Sequence, residues 1–388
     1  MPSKQVSAQV FYTYPNQNIG MENHIGKTRD VVDWKKLIDN GKSTTSLVES
    51  VFPDYLDEVR TWERPWGGQG LGRLRSVLAH RPGEEARIDE AKKDPALARE
   101  LAQLLNLPEG IPDLEKLQKE HDGLTEILKG EGVEINWLNP EPPLVSPTGL
   151  PLRSLHYCGI TLINGGAINA RYCMPFSFGW SKFFTRKYSE LGIPVLISVI
   201  GKGIFELANI RWLSNKSCII ATSNRTNMDA IDQLLPVLKR VGVEEIHIAH
   251  LPSSIGTREW QVGDGAGTFH LDMVFGMADY NVAVLYPSLI DYDTIRYLKE
   301  KGITLIECTS KELHLCAPNI LAIEPGKVII SANCEDTTRK LAREGVDVIE
   351  VDMVETAKGG GGPTCSIGVL IRDGSLPANP PSFENGKK

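Results

Sequence analysis

One unit of sequence recurs five times along this chain of 388 residues. Each copy carries a helical pattern, with apolar residues spaced i, i+3 and i+4, that ends at a glycine and leads at once into a β-branched strand. The copies span 121–138, 180–199, 228–249, 292–308 and 335–351, and their helix-ending glycines are Gly132, Gly192, Gly242, Gly302 and Gly345. Repetition of one unit at similar spacing predicts a modular α/β protein.

A second strand-like stretch lies upstream of each helical pattern. These stretches span 73–80, 159–165, 216–223, 280–287 and 326–332. The repeated unit is therefore strand, helix, strand. A doubly wound parallel sheet is the ordinary fold for such alternation, but none of the strand-to-helix turns carries G-x-G-x-x-G. Five units of similar pattern favour a closed fivefold ring, in which strand ends surround one central cavity.

Composition narrows the class of function. The formal charge is −7 and the isoelectric point is near 5.7, without a block of Lys and Arg, so no nucleic acid partner is expected. No apolar run reaches the about 18 residues of a membrane span. The N-terminus has no apolar core of a secretory signal, which predicts a cytoplasmic protein. Seven scattered cysteines, none spaced C-x-x-C, predict reduced thiols and no zinc site.

The repeat also sets the expected domain boundaries. Residues 1–65 precede the repeat and are predicted to form an N-terminal extension, whereas residues 66–374 form the catalytic domain. The segment 139–151 is a proline-rich connector, and 375–388 is predicted to be a C-terminal tail.

Three short stretches at equivalent places in the units carry side chains suited to catalysis. They are IFELANIRWL (204–213), TFHLDMVF (268–275) and GGGGPTCSI (359–367). Together they supply Glu206, His270, Asp272 and Cys365, the inventory of a thiol nucleophile, a general acid and base, and a carboxylate that orients the base. If the second stretch is a strand, His270 and Asp272 point to the same face and share one cavity.

Each of these residues also has a structural interpretation. A single cysteine is most often a small core residue, His270 and Asp272 could form a structural hydrogen-bonded pair, and Glu206 needs a partner in its apolar surroundings whatever its role. The four glycines and Pro363 before Cys365 favour a functional role for that residue, because they allow backbone to approach a ligand closely. The joint placement of the three stretches favours a single site.

Four ordered motifs resemble those of the guanidino-group-modifying enzymes, the superfamily of arginine deiminase, glycine amidinotransferase and dimethylarginine hydrolase. LGRLRSVLAHRPG (71–83) is similar to its opening strand and turn, and FELANIRWLSNKSCIIATSNRTN (205–227) is similar to its carboxylate segment. HLDMVFGMADYN (270–281) resembles the catalytic histidine motif, and GGGGPTC (359–365) resembles the glycine loop before the nucleophile. The resemblance implies the pentein fold, a five-bladed α/β propeller.

Matching positions imply roles for individual residues. Cys365 corresponds to the nucleophile, His270 to the general acid and base, and Glu206 to the carboxylate that orients it. Asp272 corresponds to a ligand of guanidinium N–H groups. Two cations correspond to positions near the substrate's α-carboxylate, Arg225 in the SNRT turn and Lys358 at the start of the glycine loop.

The chain departs from the family pattern at two substrate-binding positions. The second unit of family members has an aspartate that grips the guanidinium, and Cys158 or Gly159 stands at that place here. Asn209 stands where deiminases usually have an aspartate, and is a candidate substrate ligand. A guanidinium would lose at least one charge-assisted hydrogen-bond pair, each bond being worth about 1.5–3 kcal/mol. The sequence therefore predicts a smaller, less charged or differently substituted amidine, urea-like or amide-like substrate.

Three functions are compatible with these residues. The first is hydrolysis of a C–N bond through a covalent adduct on Cys365, which needs no metal or organic cofactor. The second is transfer of the amidino group from that adduct to an amine. The third is binding of a small molecule without catalysis, which the retained cysteine, histidine and carboxylates disfavour. Enzymes of this family are commonly dimers, so the resemblance implies a homodimer.

Overall fold

The computed structural model of the chain describes residues 64–83, 86, 94–96, 110–139, 158–174, 177–252 and 268–375. The expected N-terminal extension over 1–65, the proline-rich connector and the tail after Ser375 lie almost wholly outside these ranges. Their boundaries remain predictions.

The described strands form five separate small sheets rather than one parallel sheet, so the doubly wound alternative is excluded. The first sheet contains β1 (Leu74–Ala79), β2 (Glu134–Trp137) and the last strand, β14 (Ile367–Arg372). The second contains β3 (Ala167–Asn169) and β4 (Val195–Ser198). The third contains β5 (Ile210–Ser214), β6 (Ser217–Thr222) and β7 (Glu245–His250). The fourth contains β8 (Phe275–Asp279), β9 (Val282–Leu285) and β10 (Thr304–Glu307), and the fifth contains β11 (Leu321–Glu324), β12 (Lys327–Ser331) and β13 (Asp347–Val351).

The three-stranded sheets share one pairing pattern. The central strand pairs antiparallel with one neighbour and parallel with the strand that follows its helix, as in β5–β6–β7 and β11–β12–β13. In the first sheet the antiparallel partner of β1 is β14, from the other end of the described chain. This pairing brings the strand after Cys365 back to the first unit.

Five helices join the parallel strands of the five sheets. They are α1 (Leu114–Gly130), α2 (Trp180–Leu191), α3 (Met228–Arg240), α4 (Tyr292–Glu300) and α6 (Glu335–Arg343); two short helices, α5 (Ser310–His314) and α7 (Val354–Lys358), lie between units. All five predicted helix-ending glycines have positive φ, between 71° and 90°. Their left-handed backbone ends each helix and directs the chain into the next strand, as the repeat predicted.

Two local predictions were wrong. Residues 159–165 form isolated bridges at Thr161 and Ile163 instead of a continuous strand, because a tight turn with positive φ at Gly165 folds the chain back after Ile163. The segment with His270 and Asp272 is also not a strand. His270 has extended backbone, but Leu271–Met273 forms a 3-10 turn before β8, so the two side chains diverge.

The inner strands are almost continuously buried, which explains their apolar composition. Phe275, Val284 and Ile330 each have 0% exposure in the largest core cluster, to which Cys365 also belongs. All seven cysteines fall within the described ranges, and none of them forms a disulfide. Among the described helices, none combines the length and apolar character needed to cross a bilayer.

Candidate active site

A cavity of about 90 Å³ brings together residues from distant units. Its wall includes Glu206, Arg225, His270, Gly359 and Cys365. Aromatic and apolar side chains complete it: Tyr172, Met174, Trp180, Leu207 and Phe269. Glu206 supplies the carboxylate of this wall and Arg225 its guanidinium. The wall therefore combines one carboxylate and one guanidinium with several aromatic side chains.

Glu206 and His270 form a direct pair in this wall. The His270 Nε2 atom lies 2.7 Å from Glu206 Oε2, and both side chains are largely buried. Because the carboxylate accepts from Nε2, this nitrogen carries the proton and Nδ1 is the basic nitrogen of the neutral ring. The second oxygen, Glu206 Oε1, is buried and has no hydrogen-bond partner among the described residues. It is an acceptor suited to a substrate N–H group.

Cys365 lies at the cavity wall with its sulfur against Asp272. The Cys365 Sγ donates to Asp272 Oδ2 across 3.4 Å, and the thiol is 7% exposed. Burial raises the pKa of the Cys365 thiol well above its usual value, and the neighbouring Asp272 carboxylate raises it further. The raised pKa favours the neutral thiol over the thiolate. Asp272 itself is fully buried beneath the sulfur, and its Oδ1 atom has no hydrogen-bond partner within the described ranges.

Asn319 is a site residue that the sequence analysis missed. Its side-chain Nδ2 lies 3.1 Å from Cys365 Sγ and 3.0 Å from the backbone oxygen of Asp272, while its Oδ1 accepts from the Cys365 backbone N–H at 3.1 Å. The side chain thus joins the segments of the cysteine and the aspartate. The available signal was the echo of Asn-Ile directly before a strand, at 209–210 and again at 319–320.

The glycine loop has separate structural reasons for its glycines. Gly359 and Gly360 line the cavity, and Gly360 has a φ of +73°. At Gly362 a Cβ would lie 3.0 Å from Asn319 Oδ1 and 3.1 Å from its Cβ, closer than ordinary packing allows. The run therefore lets the backbone border the cavity and lets the cysteine segment approach Asn319.

Two buried carboxylates, one in α1 and one in α7 itself, fix the start of this loop. Glu120 in α1 accepts hydrogen bonds from the Glu355 and Thr356 backbone N–H groups, and Glu355 accepts one from Asp113. Lys358 does not line the cavity: its ammonium donates to both oxygens of Glu355 at 2.8 Å. The structure therefore places Lys358 outside the cavity wall, where Glu355 neutralises its charge, and its role as a carboxylate ligand stays a prediction.

Asn209 also occupies a different place from the one predicted. It is fully buried and absent from the cavity wall; its amide donates to Ser223, Thr226 and the backbone oxygen of Phe269. Its Oδ1 accepts from the Leu271 N–H at 2.9 Å. These bonds flank His270 on both sides. Asn209 holds the histidine segment and has no polar atom left for a substrate.

The remaining candidates divide between the cavity and the core. Arg225 is 2% exposed, lies over the Phe269 ring at 5.2 Å and contacts Cys173 Sγ at 3.8 Å. Gly159 lines the cavity, and its N–H donates to the backbone oxygen of Cys365. Cys158 is fully buried in the core and is absent from the cavity wall. Burial raises the pKa of its thiol. Gly159 is the residue that faces the site at this position.

Comparison with known proteins finds relatives of this chain. The arginine deiminase family model matches residues 293–372. The 2-nitroimidazole nitrohydrolase of Mycobacterium sp. (strain JS330) is 27% identical over 361 residues, covering 89% of this chain and 94% of the relative. The arginine deiminase of Streptococcus gordonii is 22% identical over 398 residues, covering 76% and 95%.

Solved structures share the fold at low identity. An amidinotransferase from Microseira wollei superposes with a TM-score of 0.60 at 15% identity, covering 81% of this chain and 99% of that one. DDAH from Pseudomonas aeruginosa, solved with citrulline, superposes with a TM-score of 0.57 at 18% identity, covering 77% and 100%. The chain is therefore similar in sequence to a nitrohydrolase and to arginine deiminases, and it shares its fold with an amidinotransferase and with DDAH.

Proposed function

We propose that this protein is a cysteine-dependent hydrolase that displaces a leaving group from a carbon lying between two nitrogens. The observation that carries the proposal is the Cys365 thiol in one cavity wall with the Glu206–His270 pair. The unpartnered Glu206 Oε1 atom supports it, because an acceptor on a residue of the cavity wall suits an N–H group of an amidine-type carbon, whereas Asp272 is fully buried and absent from that wall.

The substrate class follows from the wall of the cavity. Tyr172, Trp180 and Phe269 suit a flat ring, and Gly159 leaves space where relatives of the deiminase type present an aspartate. In 2-nitroimidazole, the substrate named for the relative from Mycobacterium, the nitro group sits on the carbon between two ring nitrogens. We propose planar, uncharged or weakly basic heterocycles of this kind ahead of free arginine.

The first half of the reaction forms the adduct. Asp272 Oδ2 is the acceptor nearest to the Cys365 thiol, so it takes the thiol proton as the substrate binds. The sulfur then bonds to the electron-poor carbon, and the bond to the leaving group breaks with its electron pair. From a nitro-substituted ring, nitrite leaves as an anion; an amine would leave after protonation by the His270 imidazolium.

The second half releases the product. Neutral His270, held by Glu206, takes a proton from water through Nδ1, and the hydroxide adds to the same carbon. The C–S bond breaks, and the sulfur recovers its proton from Asp272. The imidazolium returns its proton to solvent. For a nitro substrate the net change is water consumed and a hydroxylated ring, nitrite and one proton produced. Every acid and base is a side chain of this chain.

The test is intact-mass spectrometry with matched turnover assays. The wild type incubated with 2-nitroimidazole, L-arginine and simple amidines is expected to show an adduct on Cys365, with nitrite released from the first substrate. Cys365→Ser should lower turnover at least about 10³-fold, in line with loss of other catalytic nucleophiles. Cys173→Ser is the control and should retain the adduct. Full turnover by Cys365→Ser would overturn the proposal.

The same assay separates the alternatives. Release of nitrite or ammonia without any acceptor supports hydrolysis, whereas strict dependence on an added amine would assign amidino transfer. Binding without any adduct or turnover would leave a non-catalytic binding protein.

We further propose the pentein arrangement of a five-bladed propeller over 66–374, with 1–65 as an extension and 375–388 as a tail, in a cytoplasmic homodimer. The β1–β14 pairing supports closure of the ring, and seven cysteines without a disulfide suit a reducing compartment. Light scattering after size exclusion is expected to give twice the 42.8 kDa chain mass, and a monomer mass would contradict the dimer.

A further inference from the structure

A second cavity, of about 50 Å³, adjoins the candidate active site but is a different space. The two cavities share Gly159, while Cys365, His270 and Glu206 are absent from the second wall. Its wall comes from several sheets and includes Arg211, Trp212, Thr364 and Arg372. The reaction described above uses none of these side chains.

Two arginines of this wall, Arg211 and Arg372, have no carboxylate partner among the described residues. Arg372 in β14 is 7% exposed, and it donates to the backbone oxygens of Gly72 and Ala322. Arg211 in β5 is half-buried, and its side chain has no hydrogen bond or ion pair within the part of the chain that the structure describes. Burial lowers the pKa of Arg372 to about 10, and the positive charge of Arg211 lowers it further.

Two other arginines, both in or beside β1, have carboxylate partners. Arg73 pairs with Glu324, and Arg75 pairs with Asp373 through both carboxylate oxygens. Glu324 and Asp373 are therefore already occupied by other cations. Arg211 and Arg372 form no ion pair within the part of the chain that the structure describes, and Arg372 is the most buried of these four arginines.

A buried charge is normally paired, and two like charges that share a cavity repel each other. The buried Nε1 atom of Trp212, another residue of this wall, also has no acceptor among the described residues. Guanidinium forks match the geometry of oxyanions and bind them through paired hydrogen bonds. We propose that this second cavity is a binding site for a small inorganic oxyanion of the phosphate class, held between Arg211 and Arg372.

Calorimetric titration with inorganic phosphate tests the site at constant ionic strength, in a buffer without other multivalent anions. The full-length wild type is expected to show saturable binding of one phosphate per chain. Arg211→Gln should weaken that binding at least tenfold. The control is Arg240→Gln at the exposed end of α3, which should bind like the wild type.

Two outcomes would overturn the site. The first is an absence of saturable heat in the wild type, which would leave Arg372 a purely structural donor to two carbonyls. The second is equal affinity in Arg211→Gln and the wild type. If Arg211→Gln does not fold by circular dichroism, Arg211→Lys keeps the charge and loses the fork, and it should bind phosphate more weakly than the wild type. The readout is binding, so it does not depend on the proposed hydrolysis.

Discussion

The segments that carry His270 and Cys365 are each held by one buried asparagine from another unit, but the two asparagines differ in what else they contact. Asn209 bonds to backbone on both sides of His270 and to two hydroxyl groups. Asn319 bonds to the backbone N–H of Cys365 and also to its sulfur. We call these two asparagine side chains clamps. Asn209 contacts the backbone next to His270 but not its ring, whereas Asn319 contacts the sulfur atom of Cys365.

This difference shows that one sequence pattern serves two purposes. An amide carries both a donor and an acceptor, so it can join two backbone segments without a buried charge. The side-chain N–H of Asn319 also stabilises the thiolate form of Cys365. Burial and Asp272 act in the opposite direction, because both raise the pKa of the Cys365 thiol. Asn209 is therefore a positioning residue in our scheme, and Asn319 combines positioning with an electrostatic contribution.

The largest expected effect comes from Asn209→Asp, which restores the acidic residue usual in deiminases. The carboxylate would face the Phe269 carbonyl and lose three donated hydrogen bonds, so we expect a loss of about 3–5 kcal/mol in the free energy of unfolding. Urea unfolding measures it. Asn281→Asp, at an exposed turn, is the control and should change stability by less than about 0.5 kcal/mol. Unchanged stability in Asn209→Asp would show that Asn209 is not a clamp.

Asn319→Ala should lower kcat/KM about 10- to 100-fold, the range expected for loss of one hydrogen bond to a charged group. The pKa of Cys365 should rise further, so the pH profile of alkylation by iodoacetamide should move to higher pH. Asn209→Ala should leave that thiol profile unchanged. Equal displacement of the profile in both variants would remove the distinction between the clamps.

Asp272→Asn should move the same profile in the opposite direction. The Asp272 carboxylate raises the pKa of Cys365, and alkylation needs the thiolate, which forms above that pKa. Removing the negative charge lowers the pKa, so alkylation at pH 7.5 should be faster than in the wild type, although turnover falls with the lost proton acceptor. Slower alkylation in this variant would contradict the assigned contact.

The smallest effect is expected at Lys358, whose partner is Glu355 and neither of the two asparagines. Lys358→Gln removes the charge of a partly exposed side chain but keeps an amide donor for the buried Glu355 carboxylate, so stability should fall by less than about 1 kcal/mol and KM should change by about twofold or less. Michaelis–Menten kinetics and urea unfolding measure both. A KM increase of tenfold or more would restore Lys358 to the substrate site.

The local prediction from sequence succeeded where a short window carries the physical signal. Gly132 and its four counterparts mark helix ends because the backbone there needs positive φ. The Cys365 loop was recognisable from its glycines. The alternation rule failed for His270 and Asp272, because the 3-10 turn Leu271–Met273 breaks the strand period over three residues. Asn319 lies 46 residues from Cys365, and no local pattern reports a contact at that separation.

The sequence by itself therefore determined the repeated unit, the C-terminal ends of its helices and the three segments that meet at the candidate site, since each depends on local backbone preference or on motif order. Tertiary structure decided which polar atoms meet. It turned Asn209 inward to hold His270, paired Lys358 with Glu355, set Asp272 beneath the Cys365 sulfur and gathered Arg211 and Arg372 at one cavity. These outcomes depend on distances between chain segments far apart in sequence, which only the packing of separate sheets can fix.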